Sequence, residues 1–352
     1  MKREFEDYLI KFLEGFKVVR DEESSLENYI FKKSQFVRGL LDMYKATGDA
    51  RYLNDAQPYM VDVLSYDARH AAEMAKNILT LNTDVIDGQL LEKIHEVSAF
   101  YKSHVRNQKS VFAKQDEFET DKEELNQFSF FDFSRVFPFL AAYENKLNGH
   151  FGYEDIYKQL FTLRQFDYCQ RLSVYADVQT SIRLGDSHET IKTTIAAQAL
   201  MIFTLVDTSE QMHEAIFEYY KGVRDLAKEA IVNYFELKTN AKQRVSEGTM
   251  EEIEKNLLFD MSMIPSQSLL AYGVLKAALL NIVSEKYAKI GFEIFENDMM
   301  TYLNKEKNGM LKDIDKQQFE DALGTIMSAY AMVLKLEKQG MLVVKEEMCD
   351  EV

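Results

Sequence analysis

Tryptophan is absent from this 352-residue chain, and cysteine occurs twice, proline three times, histidine six times and glycine fourteen times. Each scarcity closes off a class of protein. Two cysteines, Cys169 and Cys349, supply neither a disulfide framework nor a cysteine metal motif, and a reducing, cytoplasmic setting is expected. A sheet-rich fold of this length needs many more turn formers than these prolines and glycines provide, so long helices are expected. No apolar run reaches the roughly eighteen residues of a membrane span. The opening MKREFEDYLIKFLEGF also breaks with charge the apolar stretch of a secretory leader. Basic residues are in deficit: 42 Lys and Arg face 58 Asp and Glu, giving a formal net charge of −16. That charge repels phosphate backbones and anionic headgroups, so neither nucleic acid nor membrane is expected as a partner.

What is present is helical periodicity. Phe5, Tyr8, Leu9, Phe12, Leu13 and Phe16 recur at three- and four-residue spacing and define one apolar face. Ile30, Phe31, Phe36, Val37, Leu40, Leu41 and Tyr44 define a second. Between that helix and the next, YKATGDARYL carries its own stop and start: Gly48 suits the left-handed residue that ends a helix, and Asp49 can accept the free amides that begin one. Further helices are expected over about 68–81, 85–114, 153–184, 266–283, 284–303 and 315–338, with a kink at Pro58 and a break near Pro265. The apolar IKTTIAAQALMIFTLV reads as a central helix buried on most sides, and DTSEQ after it reads as the start of another, capped by Thr208 or Ser209. Thr249 and Glu252 have capping-box spacing. KQDEFETDKEEL reads either as a linker or as a solvated helix face. The linker reading divides the chain into residues 1–115, a larger helical lobe at 125–340 and an acidic tail at 341–352; the other leaves one continuous domain.

Two stretches share a plan. FVRGLLDMYKATGDARYLNDAQPYMVDVL and LLAYGVLKAALLNIVSEKYAKIGFEIFENDMM are each an apolar helix, a short polar turn and a helix opening on a tyrosine, Tyr52 or Tyr287. Helical hairpins of that kind bury their apolar faces only by stacking on neighbours. The expected fold is therefore all-α, with antiparallel helical hairpins arranged as an α/α toroid or a curved solenoid. The TGD turn followed by Tyr52, Leu53 and Ala56 resembles a motif of six-hairpin α/α toroids, the superfamily of unsaturated-glycuronyl hydrolases and N-acylglucosamine epimerases. That resemblance implies inner helices joined to outer ones at such turns. It carries over no catalytic residue, and the chain departs from the superfamily in having no Trp and no clustered glycines.

Several groups of residues bear on function. Glu92 with His95 and Glu210 with His213 have the Glu-x-x-His spacing of di-iron bundles, but the two further glutamates such a site needs are missing, so no metal and no cofactor is expected. His150, in NGHFGYED beside Glu154 and Asp155, fits acid–base chemistry; the same stretch also reads as a helix stop at Gly149 and an acidic helix start. Ser187, His188 and Glu189 stand too close together for a triad and read as a helix start. The least ordinary feature is the run Phe128, Phe130, Phe131, Phe133, Phe137 and Phe139, which cannot all face one side of a helix. Phe130, Phe131, Phe133, Phe137 and His150 are therefore the candidate binding residues. The leading expectation is a non-catalytic cytoplasmic scaffold that holds a protein or peptide in an aromatic groove. The alternative is an enzyme or degenerate enzyme of the toroid class acting on a sugar or similar small molecule.

Overall fold

The computed structural model describes residues 2–14, 16–18, 26–81, 86–104, 106, 110–112, 130–166, 168–169, 174–175, 195–247, 264–310 and 312–343. The 114–125 linker, the 187–189 triplet, the Thr249 capping box and most of the acidic tail lie outside them. Twelve α-helices run through the described residues. They are α1 (Lys2–Leu13), α2 (Leu26–Thr47), α3 (Ala50–Val61), α4 (Ala72–Leu79), α5 (Gly88–Lys102) and α6 (Phe130–Leu147), then α7 (Tyr153–Phe166), α8 (Ile195–Gln211), α9 (Phe217–Glu247), α10 (Ile264–Leu279), α11 (Lys286–Lys307) and α12 (Asp313–Lys338).

The even-numbered helices close a ring. Helix α2 packs on α4, α4 on α6, α6 on α8, α8 on α10, α10 on α12, and α12 returns to α2. The odd-numbered helices lie outside, each against the inner helices beside it: α3 on α2, α9 on α8, α11 on α10. Helix α1 covers the α11–α12 seam through Phe5, whose ring meets Phe295 at 5.5 Å and Tyr330 at 4.9 Å, and through Phe12 against Phe319 at 5.2 Å. The fold is an α/α toroid, and both stretches with the shared plan are inner-to-outer hairpins, α2–α3 and α10–α11.

Local chemistry accounts for the joints. At the TGD turn Gly48 has φ +79° and Asp49 accepts from the Arg51 amide at 3.0 Å, while the Thr47 hydroxyl donates to the Met43 carbonyl at 2.7 Å. The ring closes tightest where α2 crosses α12, because Gly39 faces Gly324 with no side chain between the two backbones.

Three boundaries differ from expectation. Helix α7 stops at Phe166 and is followed by a two-residue antiparallel pair, Tyr168 opposite Tyr175 and Cys169 opposite Val174, where aromatic and β-branched side chains favour extended backbone. Helix α5 ends at Lys102, well short of residue 114. The largest difference is in α8, which continues through Asp207, Thr208 and Ser209 to Gln211, so these residues end a buried helix and do not begin an exposed one.

One outer residue carries a pH dependence. Burial pushes the Asp298 carboxyl up to about 7, with Lys305 opposing, and one of its oxygens has no hydrogen-bond partner. An acid raised in the folded state contributes stability at low pH that is lost as pH rises from about 4, its unfolded value, through about 7. Asp298→Asn is expected to leave the melting temperature unchanged near pH 4 and to raise it at pH 8, by at most about 4 kcal/mol of stability. Thermal melts of both proteins across that range check it.

Candidate functional site

The charged residues that interrupt the inner helices converge on the ring axis. Arg38 of α2 shows this best, because its side chain meets four of the other five inner helices. Its Nε donates to Ser328 Oγ of α12 at 3.3 Å, and its Nη1 stands 3.7 Å from Glu73 Oε1 of α4. Its guanidinium lies 4.5 Å from the ring centre of Phe203 on α8 and 4.8 Å from that of Tyr272 on α10. Helical spacing arranges the rest in layers. Arg38, Asp42 and Lys45 follow at i, i+4 and i+7 on α2, Tyr272 and Lys276 at i and i+4 on α10, and Asp207 and Glu210 at i and i+3 on α8.

Asp207 is the hub. Lys276 Nζ reaches one of its oxygens at 2.7 Å and Tyr272 donates to the same oxygen at 2.9 Å, while Lys76 Nζ reaches the other at 3.2 Å. Burial alone would raise its pKa; Lys276, Lys76 and Arg38 outweigh that and hold the carboxyl well below the usual carboxylate range. The exchange is reciprocal: burial disfavours the Lys276 ammonium, but Asp207 and Glu210 hold its pKa well above the ordinary lysine value. Lys276 also bridges to Glu210 at 2.5 Å, and Lys76 to Glu73 at 3.4 Å.

Not every hydrogen-bonding position in this buried cluster is used. Arg38 Nη1 and Nη2, Asp42 Oδ2, Glu73 Oε2 and Thr208 Oγ1 have no hydrogen-bond partner, although Arg38, Glu73 and Thr208 are at most 3% exposed and Asp42 is 8% exposed. Donors and acceptors of this kind, left open in a low-dielectric interior, cost free energy unless something else satisfies them. The cluster meets solvent at its last layer. Glu210 is 37% exposed, and Lys45 has an accessible side chain although protein crowds its amine. That crowding lowers the Lys45 pKa, with Asp42 and Glu210 opposing and Lys276 and Lys335 adding to the shift.

The residues singled out in the sequence lie elsewhere. Phe130, Phe133 and Phe137 are buried, and Phe133 and Phe137 contact each other with ring centres 5.2 Å apart. Phe131 is half-buried, 4.4 Å from Phe31 and with Arg135 above its ring at 4.5 Å. His150 sits in the α6–α7 turn at φ +72°, stacked at 5.3 Å on His213. Its intended carboxylates are engaged otherwise: Glu154 pairs with Lys158 at 2.5 Å and Asp155 with Arg106 at 2.8 Å. In each of the two Glu-x-x-His pairs one member is engaged otherwise, His95 bonding Tyr143 at 2.9 Å and Glu210 bonding Lys276. Arg38, Glu73, Lys76, Asp207, Tyr272 and Lys276 were not legible as a group. The available signal was a charge isolated in an apolar helix: Arg38 in FVRGLL, Glu73 and Lys76 in AAEMAKNIL, Lys276 in YGVLKAALL.

No family model and no curated protein matches the sequence. Solved structures do. A possible member of glycoside hydrolase family 105 from Klebsiella pneumoniae is similar over 96% of this chain and 94% of its own, with a TM-score of 0.71 and 12% identity. A family 105 glycoside hydrolase from C. acetobutylicum is similar over 87% and 92%, with a TM-score of 0.64 and 15% identity. A family 88 glycosyl hydrolase from Bacteroides vulgatus is similar over 94% and 98%, with a TM-score of 0.61 and 12% identity. At such identities the likeness establishes the toroid fold. It also corrects the expectation of a non-catalytic scaffold. The structures that share this fold along nearly their whole length are named as glycoside hydrolases or as a possible member of such a family, and the phenylalanines on which the scaffold reading rested are largely interior.

Proposed function

We propose that the protein is an enzyme of the α/α-toroid class that cleaves glycosidic bonds, with the axial cluster as its active site. The observation that carries this reading is the open hydrogen-bonding capacity of Arg38, Asp42, Glu73 and Thr208 at the ring axis. Sugars present closely spaced hydroxyls that donate and accept at once, which is what unsatisfied carboxylate, guanidinium and hydroxyl groups side by side can serve.

Glycoside hydrolysis uses two carboxyl groups, one to protonate the leaving oxygen and one to act as base or nucleophile. Glu73 and Asp207 share Lys76 as a common neighbour and so flank the same small volume. Asp207, held ionised by two lysines, serves as the fixed negative charge that stabilises a developing oxocarbenium ion. Glu73, with Oε2 unbonded and its other oxygen beside Arg38 and Lys76, is the base or nucleophile, and Arg38, its guanidinium held by the rings of Phe203 and Tyr272, positions the sugar through its open Nη groups.

Release of reducing ends from a panel of neutral and acidic oligosaccharides tests the reading. The wild type is expected to turn over at least one member of the panel. Glu73→Gln, which keeps the shape and one acceptor, is expected to lower kcat about 100-fold or more, measured at a temperature where its own melt shows it folded. Turnover unchanged in Glu73→Gln, or no turnover by the wild type of any panel member, would count against the assignment.

A further inference from the structure

Three aromatic rings lie in series on the outer surface between α7 and α9, away from the axis. The centre of the Tyr219 ring is 5.9 Å from that of Tyr157 with 38° between planes, and Tyr157 is 5.8 Å from Phe161 with 32° between planes. Phe161 is 40% exposed, and the two tyrosines are half-buried. Gly222 makes the seat for the middle ring: a Cβ at that position would come within 2.9 Å of Tyr157 Cζ, so a larger residue would lift the ring off the helix. Arg164 clamps the two helices with a two-pronged bond to Glu229, 2.6 Å on each prong. The flanks are polar, with Lys158 paired to Glu154 on α7 and Lys221 to Asp225 on α9.

We propose that this strip binds a saccharide chain, with successive pyranose rings lying on Tyr219, Tyr157 and Phe161, so that the substrate is a polysaccharide held at the outer surface as well as at the axis. The inference rests on the glycosidase reading. Phe161 is 40% exposed and the two tyrosines partly so, which leaves aromatic surface for the C–H face of a sugar to cover, and the ring spacing is close to that of successive rings in a pyranose chain. Tyrosine hydroxyls and flanking ion pairs supply partners for sugar hydroxyls. A protein partner fits less well. Three aromatic side chains bury about 150–250 Å² each when fully covered, much of it already inside here, against about 800 Å² per partner in a standard interface.

Native gel electrophoresis through matrices containing xylan, polygalacturonate or mixed-linkage β-glucan tests this, with the full chain and with Phe161→Leu/Tyr219→Leu, which keeps apolar packing and removes the flat rings. The wild type is expected to be retarded in at least one matrix, and the double variant to bind about tenfold or more weakly, the effect of losing one well-used aromatic anchor. Kinetics should split: the variant loses rate on the polymer but not on a short oligosaccharide. Equal retardation of the two proteins overturns the proposal, as does an unretarded wild type. Conversion of a dimer to a monomer by the substitutions, read by sedimentation, overturns it in favour of self-association. Glu73→Gln separates the two readings. If it is inactive yet still retarded, strip and active site both stand. If the wild type cleaves oligosaccharides yet passes unretarded, only the strip fails. If the wild type is retarded through the strip yet cleaves nothing, only the glycosidase reading fails.

Discussion

Asp207→Ala is expected to destabilise the protein by about 3–5 kcal/mol, the cost of removing one partner from a buried ionic network and leaving Lys276 and Lys76 with only Glu210 and Glu73 as counter-charges. The magnitude follows from what remains: Lys276 and Lys76, each at most 4% exposed, would face each other and Arg38 with their shared counter-charge gone. Urea denaturation of the two proteins gives the number directly. A second substitution separates charge from packing. Asp207→Asn keeps the shape and some hydrogen bonding but not the charge, so it should recover only part of the loss. The linkage also has a definite sign. The Asp207 carboxyl is depressed in the folded state, so its contribution is present above the ordinary carboxylate pKa of about 4 and is lost as pH falls below that value. The wild type should therefore lose stability on acidification through that range, and Asp207→Asn should lose less. A loss under about 1 kcal/mol for Asp207→Ala, typical of an exposed pair, would mean that the cluster is far better hydrated than its geometry indicates.

Gly324→Ala is expected to be as damaging for an unrelated reason. An added methyl at Gly324 falls well inside van der Waals contact with the carbonyl carbon and oxygen of Gln35 on α2. These are backbone atoms and cannot swing away as a side chain would. The complementary change, Gly39→Ala, puts Cβ 2.5 Å from the Gly324 carbonyl oxygen. Either substitution must push α2 and α12 apart where the ring closes. Overpacking of a rigid contact costs about 1–3 kcal/mol and occasionally more, and the upper end is expected here because Arg38 lies one residue from Gly39 and its bond to Ser328 would be strained by the same displacement. Thermal melts measure the loss. A melting temperature within a degree of the wild type would show that the two helices are less closely apposed than described.

How much of this was legible in the sequence depended on whether the signal was local. Gly48 and Asp49 specify the α2–α3 turn with their own backbone preferences and side-chain acceptor, so YKATGDARYL is readable without its surroundings. The same holds for Phe5, Tyr8 and Phe12, whose spacing alone places them on one face of α1. Asp207 is the opposite case. In DTSEQ an aspartate, a threonine and a serine after an apolar run have the chemistry of a helix cap, and the local rule favours a start. Tertiary context overrides it: Lys276 and Tyr272, 65 to 69 residues later, and Lys76, 131 residues earlier, meet Asp207 at the axis and make burial of the carboxylate tolerable. No local pattern reveals a partner at that separation. The phenylalanine run misled for a related reason. Six rings cannot share one helix face, but an inner helix of a toroid is contacted on several sides, so Phe133 and Phe137, which share a face and touch each other, and Phe139, two residues further round the helix, are all buried. An exposed groove was not needed to accommodate them.

The most direct test of the axial site is a crystal structure of Glu73→Gln with an oligosaccharide that the wild type turns over. The expected result is a sugar ring on the toroid axis, with hydroxyls bonded to Arg38 Nη and Asp42 Oδ2 and the scissile bond within reach of residue 73. Sugar bound only at the outer surface, or an axis whose side chains close on one another with no room for a ring, would contradict the assignment and leave the cluster as a structural ion network.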